Sequence, residues 1–319
     1  MREIPPAFGP LTPPSPRAPR GARAKGSLAG IAVILSLALL PSSTLASGKK
    51  KAAVRDALTQ QRDFADELFD GSEYFRASTE YLRLLSFWPA IPDADSVRFR
   101  VAQCSYRAGR YDDASRHFIR LAAATSSTDM VDRCRLVIAA CEYRQNDWRA
   151  AAEECSRSAA ASPSSPLLDR LKYLEGMSRM HLGRWSESFG AFSAVPRESP
   201  LAPSSRELGG LAARAEKTRP ASPGLSAGLS LIVPGLGQTL NGYVWDGVTA
   251  FILSAGSLAI GIYGSSQGNR ATETVGYALF AVWHSANVYG GASAARRANR
   301  RTHEGIMEKA EAISQLSLD

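Results

Sequence analysis

Small and apolar positions recur through the middle of the chain at an interval of 37 residues. Four aromatic residues mark the interval, and they are Tyr74, Tyr111, Trp148 and Trp185. Three further sets keep the same register, and they are Ala65, Ala102, Ala139 and Gly176; Ala77, Ala114, Ala151 and Ser188; and Tyr81, Phe118, Cys155 and Phe192. Within a unit, the aromatic and the residues three and seven places after it lie on one face of a helix. The pattern therefore predicts helices that bury one stripe against a neighbour, repeated about four times.

Turn residues separate the predicted helices within each unit. Gly or Asn stands two places before the aromatic in three units, at Gly109, Asn146 and Gly183. These residue types tolerate the left-handed backbone that ends many helices. In the first unit Ser72 takes that place, with Gly71 one place early. Prolines that stop the second helix stand after three units, at Pro89, Pro163 and Pro200.

The order of small, aromatic, alanine, large apolar and proline positions resembles the tetratricopeptide repeat (TPR), over about residues 52–211. The resemblance implies an all-α fold, in which a TPR-like helical-hairpin solenoid of about four repeats occupies residues 52–217. A helix over about residues 203–217 is expected to cap the last repeat, because a terminal hairpin needs a cover. An irregular helical bundle is the alternative interpretation.

Proteins of this family bind peptides in a concave groove lined by the first helix of each repeat, helix A. Carrying the register over predicts a partner-binding groove lined by Phe99, Gln103, Tyr106, Arg107, Arg133, Tyr143, Arg144, Arg170, Tyr173 and His181. Rings and guanidinium groups of this kind suit an extended protein segment with carboxylates and apolar side chains. The alternative interpretation places the tyrosines in the core and the arginines on a solvated face.

The N-terminal region predicts export. Basic residues between Arg17 and Lys25 precede an apolar run, residues 28–40, and small residues follow it. This order is typical of a signal peptide, here residues 1–46, with Thr44 and Ala46 at the small positions before the cut. An uncleaved anchor is the alternative. Either arrangement predicts a bacterial inner-membrane protein with its repeats on the periplasmic side.

A change of composition after Pro220 predicts an α-helical transmembrane module, residues 222–295. Two apolar stretches, residues 248–263 and 275–289, lack Asp, Glu, Lys and Arg, are edged by aromatics, and are predicted to span the membrane. A shorter apolar stretch, residues 224–233, is a third span, a helix that enters halfway, or an interfacial helix. Three spans are favoured, because they place the basic tail, residues 296–319, in the cytoplasm.

A short motif in this module resembles a small membrane domain of unassigned role in bacterial envelope proteins. The motif residues are Pro234, Gly235, Gly237, Gln238 and Gly242. Two intramembrane polar residues, His284 and Asn287, stand three apart and share a helix face. A hydrogen bond between His284 and Ser254 is favoured over a proton or ion path.

Composition narrows the function. The 38 Lys and Arg residues against 30 Asp and Glu residues give a net charge of +8, but the basic residues are spread along the helices and are concentrated only at the two ends. Neither a zinc-knuckle spacing nor an aromatic-rich RNA-binding signature is found, so nucleic acid is not an expected partner. The four histidines have no ligand spacing, so no catalytic residue, metal, cofactor or small-molecule substrate is predicted. Cysteines 104, 134, 141 and 155 are predicted either to pair, 134 with 155 and 104 with 141, or to remain buried thiols.

These observations predict a non-catalytic, membrane-anchored scaffold that binds a protein partner in the cell envelope. The alternative is a subunit of a membrane transport or insertion system in which the transmembrane module is the active part. His284 and Asn287 are the residues that support this alternative.

Overall fold

A computed structural model describes residues 42–314, with side chains from residue 55 onward. The predicted leader and the cleavage positions at Thr44 and Ala46 therefore lie outside the described side chains, as do the last five residues of the predicted tail. The chain divides into compact units of residues 1–51 and 52–319, and the contacts below belong to the second. All described secondary structure is α-helical, which confirms the all-α prediction for this part of the chain.

The described helices are α1 Ser42–Asp70, α2 Tyr74–Phe87, α3 Ala94–Arg107, α4 Tyr111–Ala124, α5 Thr128–Arg144, α6 Trp148–Ala161, α7 Leu168–His181, α8 Trp185–Ser193, α9 Ala202–Glu216, α10 Pro223–Ile232, α11 Leu236–Leu240, α12 Val244–Ser266 and α13 Arg270–Ile313. Below, the array is residues 52–217, the C-terminal module is residues 222–295, and the tail is residues 296–313 of α13.

Consecutive helices pack in pairs through the array. Helices α2, α4, α6 and α8 begin at the four repeated aromatics. Helix α3 contacts α5, and α5 contacts α7. Helix α1 shares a buried cluster with α3, and α7 shares one with α9. Helices α1, α3, α5, α7 and α9 therefore form one layer, here called the A helices. Helices α2, α4, α6 and α8, which pack between consecutive A helices, form the other layer, here called the B layer. Helix α9 lies where a capping helix is predicted, and it packs on α8.

The turn inside each helix pair repeats a single backbone conformation. Ser72, Gly109, Asn146 and Gly183 all have positive φ, between 62° and 74°. The residue that follows each of them donates its N–H back to the helix before the turn, as Arg110 does to the Ser105 carbonyl at 2.9 Å. This bond is typical of a helix that ends in a left-handed residue.

Small residues allow the helices of the array to pack closely. The small residue of helix A and the small residue of the following helix are fully buried in the first three units. In the fourth unit, a Cβ atom on Gly176 would lie 2.7 Å from the Phe192 ring. The ring thus occupies the space that the missing side chain leaves, and a larger residue at position 176 would displace it.

The predicted third span, residues 224–233, forms α10, and the chain turns back after it through α11. The chain before α10 is joined to Asn299 by two hydrogen bonds of 2.8 and 2.9 Å, through the Ala221 N–H and carbonyl. The turn after α10 lies beside Asn287, whose Oδ1 accepts from the Gly235 N–H at 2.7 Å. At the end of α11, Asn241 donates to Ser226 near the start of α10, at 2.8 Å. This stretch therefore begins and ends at the same end of the module, which does not fit the predicted third span.

The tail returns to the array. Met307 and Ala310 are buried in one cluster with Tyr173 and Met177 of α7 and Leu208 of α9. Helix α13 runs without a break through the predicted boundary at residue 295, so the module and the tail share one helix. The array, the module and the tail consequently form a single packed unit.

Candidate functional site

An open cleft lies on the layer of A helices, between α1, α3 and α5. Its volume is about 300 Å³, and its lining includes Arg62, Asp66, Asp93, Phe99, Gln103 and Arg133. Phe99, Gln103 and Arg133 belong to the predicted groove. The 37-residue register also relates Phe99 to Arg62 and Gln103 to Asp66, so the same periodicity that predicts the groove identifies these two first-unit residues, which sequence reasoning missed.

Both carboxylates of the cleft, Asp66 and Asp93, contact other side chains of the same chain. Arg62 holds Asp93 through two contacts of 2.6 and 2.9 Å, and this hydrogen bonding keeps the pKa of the Asp93 carboxyl below its usual value. Asp66 accepts a hydrogen bond from the Tyr81 hydroxyl and lies 3.9 Å from the Arg100 guanidinium. The two carboxylates of the cleft are thus engaged by the chain itself.

Arg133 is one of two exposed cations of the cleft, and the other, Arg100, lies 3.9 Å from Asp66. The guanidinium carbon of Arg133 lies 4.9 Å from the centre of the Phe99 ring. Phe99 is 5% exposed and packs edge-on against Phe118, with the ring centres 5.0 Å apart. The guanidinium therefore lies beside an apolar surface, and the Arg133 side chain is exposed. Such a group suits a carboxylate that arrives from outside the chain.

The other end of this layer is closed by the tail. The tail residues Met307 and Ala310 cover α7 and α9, with Ile306 and Ile313 beside them. Of the predicted groove residues, Tyr143 and Tyr173 contact this cluster. The predicted groove is thus an open cleft near α1, α3 and α5, and a surface near α7 and α9 that the chain itself occupies.

Stacked aromatic rings lie where α5 and α7 end. The His181 ring stacks on Trp148 at 3.8 Å between centres, and its Nε2 lies 3.0 Å from the Tyr143 hydroxyl oxygen. Burial, with a smaller contribution from His303 of the tail, lowers the pKa of His181 to about 4. Burial raises the pKa of Tyr143 to about 12. His181 is therefore neutral near pH 7 and acts as a packing group rather than an exposed ligand for anions.

Three predicted groove rings are core residues. Phe99 is 5%, Tyr106 7% and Tyr173 0% exposed, so the expectation that Tyr106 and Tyr173 line an open surface is wrong. Phe99 is also mostly buried, but it lines the open cleft as expected. Each faces the interior because the A helices bury side chains against both the B layer and neighbouring A helices. The predicted arginines 107, 133, 144 and 170 are exposed.

The four cysteines are buried free thiols. Burial raises the pKa of Cys104, Cys134 and Cys141 to about 12, and it raises the pKa of Cys155 as well. Neither predicted pairing is formed. The thiols are protonated and unreactive at neutral pH, because the thiolate is the reactive form.

The motif residues of the C-terminal module form a second polar cluster. Asn287 Oδ1 accepts from the Gly235 N–H and from Gln238 Nε2, and Asn287 Nδ2 donates to the Ser230 carbonyl at 2.7 Å. Ser230 Oγ donates to Gln238 Oε1 at 2.9 Å and accepts from the Gly237 N–H at 3.0 Å. Every polar atom of the Asn287 side chain is satisfied, so the cluster locks the α10–α11 turn onto α13.

Other motif and polar residues are placed differently. Gly242 supplies a left-handed turn before α12, with φ +85°, and Pro234 precedes the Gly235 turn. His284 stacks on Phe280 at 4.9 Å between ring centres. The predicted hydrogen bond between His284 and Ser254 is not formed, because Ser254 Oγ and His284 Nδ1 are both buried without a partner among the described residues.

No protein-family model matches this chain, and no curated protein matches it either. Within residues 42–314, His, Cys, Asp and Glu side chains form no group of three that suits a metal ion.

Proposed function

We propose that this chain is a non-catalytic, membrane-anchored scaffold whose helical array, a TPR-like solenoid, binds a protein partner in the cell envelope. The partner docks in the cleft between α1, α3 and α5. The observation that carries this proposal is Arg133, an exposed guanidinium held on the Phe99 ring in a cleft whose own carboxylates are engaged. The chemistry favours a segment with a carboxylate beside an apolar side chain.

The membrane anchor is supported by the polarity of the C-terminal module. One described helix, Val244–Ser266, is long and apolar enough to cross a membrane, and only 28% of its most apolar window is buried. Its exposed side chains include Trp245 and Ile252, whereas Ser254 is fully buried. A core helix of a soluble protein would bury its large apolar side chains, so this arrangement favours an apolar solvent around the helix.

The observations favour the scaffold over the transport alternative. Asn287, one of the two residues that support transport, uses both polar atoms of its side chain to hold the turn at Gly235 and the end of α10. A polar group that is saturated by packing contacts is a poor relay for ions or protons. His284 alone is left for such a path.

Two sequence signals bear on which side of the membrane the array occupies, and they point in opposite directions. Because Ala221 and Asn299 are bonded to each other, the array and the tail lie on one side of any bilayer that α12 and α13 cross. The leader favours the periplasm for that side. The basic residues around Ala221 and Asn299 favour the cytoplasm, since basic flanks are retained there. We propose the periplasmic placement, and the cytoplasmic one is the alternative that the charges support.

A pair of reporter fusions distinguishes the placements. Alkaline phosphatase, active only after export, is fused after residue 314 and within the turn at residues 267–269. The periplasmic placement predicts activity from the first fusion only, and the cytoplasmic placement predicts activity from the second only. Activity from both or from neither would contradict a two-span anchor.

Photocrosslinking in cells tests the partner cleft. A photoreactive amino acid replaces Gln103 in the cleft, and in a matched strain it replaces the exposed Glu153 on α6. We expect a discrete adduct from position 103 only, lost with Arg133→Gln and kept with Arg149→Gln. Identical adducts from both positions, or an adduct that does not depend on Arg133, would contradict the proposal.

A further inference from the structure

Seven exposed basic residues gather at one end of the C-terminal module, although the sequence places them in two distant segments. They are Arg214, Lys217, Arg219, Arg296, Arg297, Arg300 and Arg301, and they are called the basic collar below. The two hydrogen bonds between Ala221 and Asn299 bring the segments together across 78 positions of sequence. Sequence reasoning found no clustered basic face because this face exists only after folding.

Few carboxylates balance the collar. Its nearby acidic residues are Glu216, Asp246 and Glu304, which lies within one helical turn of Arg300 and Arg301. Seven positive charges less three negative ones therefore leave +4. Within the described part of the chain, only Arg297 of the seven forms an ion pair, with Asp246 at 2.9 Å. At the opposite end of the module, the first turn of α13 contains Arg270 and Glu273, whose charges cancel.

An aromatic belt adjoins the collar. The Tyr243 ring lies 4.3 Å from the Arg297 guanidinium carbon and 5.4 Å from that of Arg301. Next to it, Trp245 is 82% exposed, and Tyr289 of α13 is 70% exposed. Exposed aromatic rings between a charged band and an apolar band are typical of the membrane–water interface.

We propose that the basic collar binds the phosphate groups of an anionic bilayer surface, so that it fixes the height and tilt of the array above the membrane. This inference rests on the proposed membrane anchor. The collar meets the conditions for such binding because its charges lie beside the apolar band that would enter the hydrocarbon. Binding of a soluble anionic partner would account for the exposed charges of the collar but not for the exposed Trp245 ring beside them.

The test uses the full-length chain in lipid nanodiscs made with limiting amounts of mixed phosphatidylcholine and phosphatidylglycerol. The lipid ratio in protein-containing discs is compared with that in empty discs. We expect phosphatidylglycerol to be enriched several-fold around the protein. The variant Arg219→Gln, Arg300→Gln, Arg301→Gln should return the ratio to that of empty discs, and it leaves the Arg297–Asp246 pair intact.

Two further variants control for charge and folding. Replacing the same three arginines with lysine should keep the enrichment. Replacing Arg76, Arg120 and Arg149, which are exposed on α2, α4 and α6, with glutamine removes equal charge from the array and should also keep it. Equal enrichment in the collar and array glutamine variants would overturn the proposal, as would its loss to an excess of inorganic phosphate at constant ionic strength. Failure of the chain to enter discs of either composition would instead overturn the membrane anchor.

Discussion

The array and the C-terminal module are built with opposite polarity. In the array, large apolar side chains such as Tyr81, Phe118 and Leu174 are buried and charged residues face outward. In the module, Ser230 and Asn287 are buried, and large apolar side chains cover the outside. Burial of apolar area stabilises the first arrangement in water. In the proposed bilayer the second gains nothing from that effect and depends on close backbone approach and satisfied hydrogen bonds.

The largest effect is expected from a substitution that separates the closely packed helices α12 and α13. A Cβ atom on Gly276 would lie 2.2 Å from the Gly261 backbone nitrogen, and backbone cannot move aside as a side chain can. Gly276→Leu should separate the helices and destabilise the full chain in detergent by more than about 3 kcal/mol. Gly256→Leu is the matched control on α12, because a Cβ there meets nothing within 4 Å. Equal thermal unfolding of both variants would contradict this account of the hairpin.

A slightly smaller effect is expected from the polar cluster. Asn287→Leu leaves the Gly235 N–H and the Ser230 carbonyl without their partner, whereas Gln238 keeps its bond to the main-chain carbonyl of residue 287. We expect a loss of about 3 kcal/mol, because buried polar groups lose the bonds that offset their desolvation. His284→Leu removes a buried Nδ1 that has no partner, so thermal unfolding should change little. Loss of cellular function from His284→Leu without loss of stability would favour the transport alternative.

The contact between the tail and helices α7 and α9 of the array can be broken by one substitution. Ala310 is fully buried in the cluster that joins the tail to α7 and α9. Ala310→Asp should detach the tail, because an unpaired carboxylate is not tolerated there, at a cost of about 2 kcal/mol. Hydrogen exchange should rise over residues 302–313 and over α9. Gly305→Asp adds the same charge to the same helix where a Cβ meets nothing within 4 Å, and it should leave exchange unchanged.

Acid should weaken the array through His181. Because its pKa is lowered from 6.5 to about 4 in the folded chain, the neutral ring is stabilising above pH 6.5. That contribution is lost as the pH falls from 6.5 towards 4, since the unfolded chain takes up the proton first. The loss should be about 1 to 2 kcal/mol, because solvent screening reduces the full effect of the shift.

Imidazole NMR titration measures the His181 pKa directly. His303→Gln should raise that pKa, because His303 contributes to lowering it. His181→Gln should make thermal stability less dependent on pH between 6.5 and 4. A His181 pKa near 6.5 in the folded chain would show that the ring is not buried against Trp148.

Sequence periodicity was informative where structure is local. Helix starts at Tyr74, Tyr111, Trp148 and Trp185 and the turns before them follow from residues within a few positions of each other. The buried small residues follow as well, since one stripe of each helix must face its partner.

The same periodicity failed for the groove because duplicated residues recur in the core as well as on the surface. Phe99, Tyr106 and Tyr173 keep the register and are buried. Of the predicted groove residues, Phe99, Gln103 and Arg133 line the open cleft, with Arg62 and Asp66, the first-unit equivalents of Phe99 and Gln103. Contacts between distant segments, such as Ala221 with Asn299, leave no periodic signal at all. The return of the tail and the basic collar could therefore not be predicted.

The smallest effect is expected from substitutions in the turn that is repeated within each helix pair of the array. Ser72 adopts φ 63° where the equivalent residues are Gly109, Asn146 and Gly183. A serine in this left-handed region is strained, so Ser72→Gly should stabilise the array by about 0.5 to 1 kcal/mol in denaturant unfolding. Gly109→Ser is the reciprocal change, and it isolates the backbone effect because a Cβ there meets nothing within 4 Å. Gly109→Ser should lower the free energy of unfolding by a similar amount. If both changes had the same sign, the turns would not share one conformation, and the four units would not be equivalent.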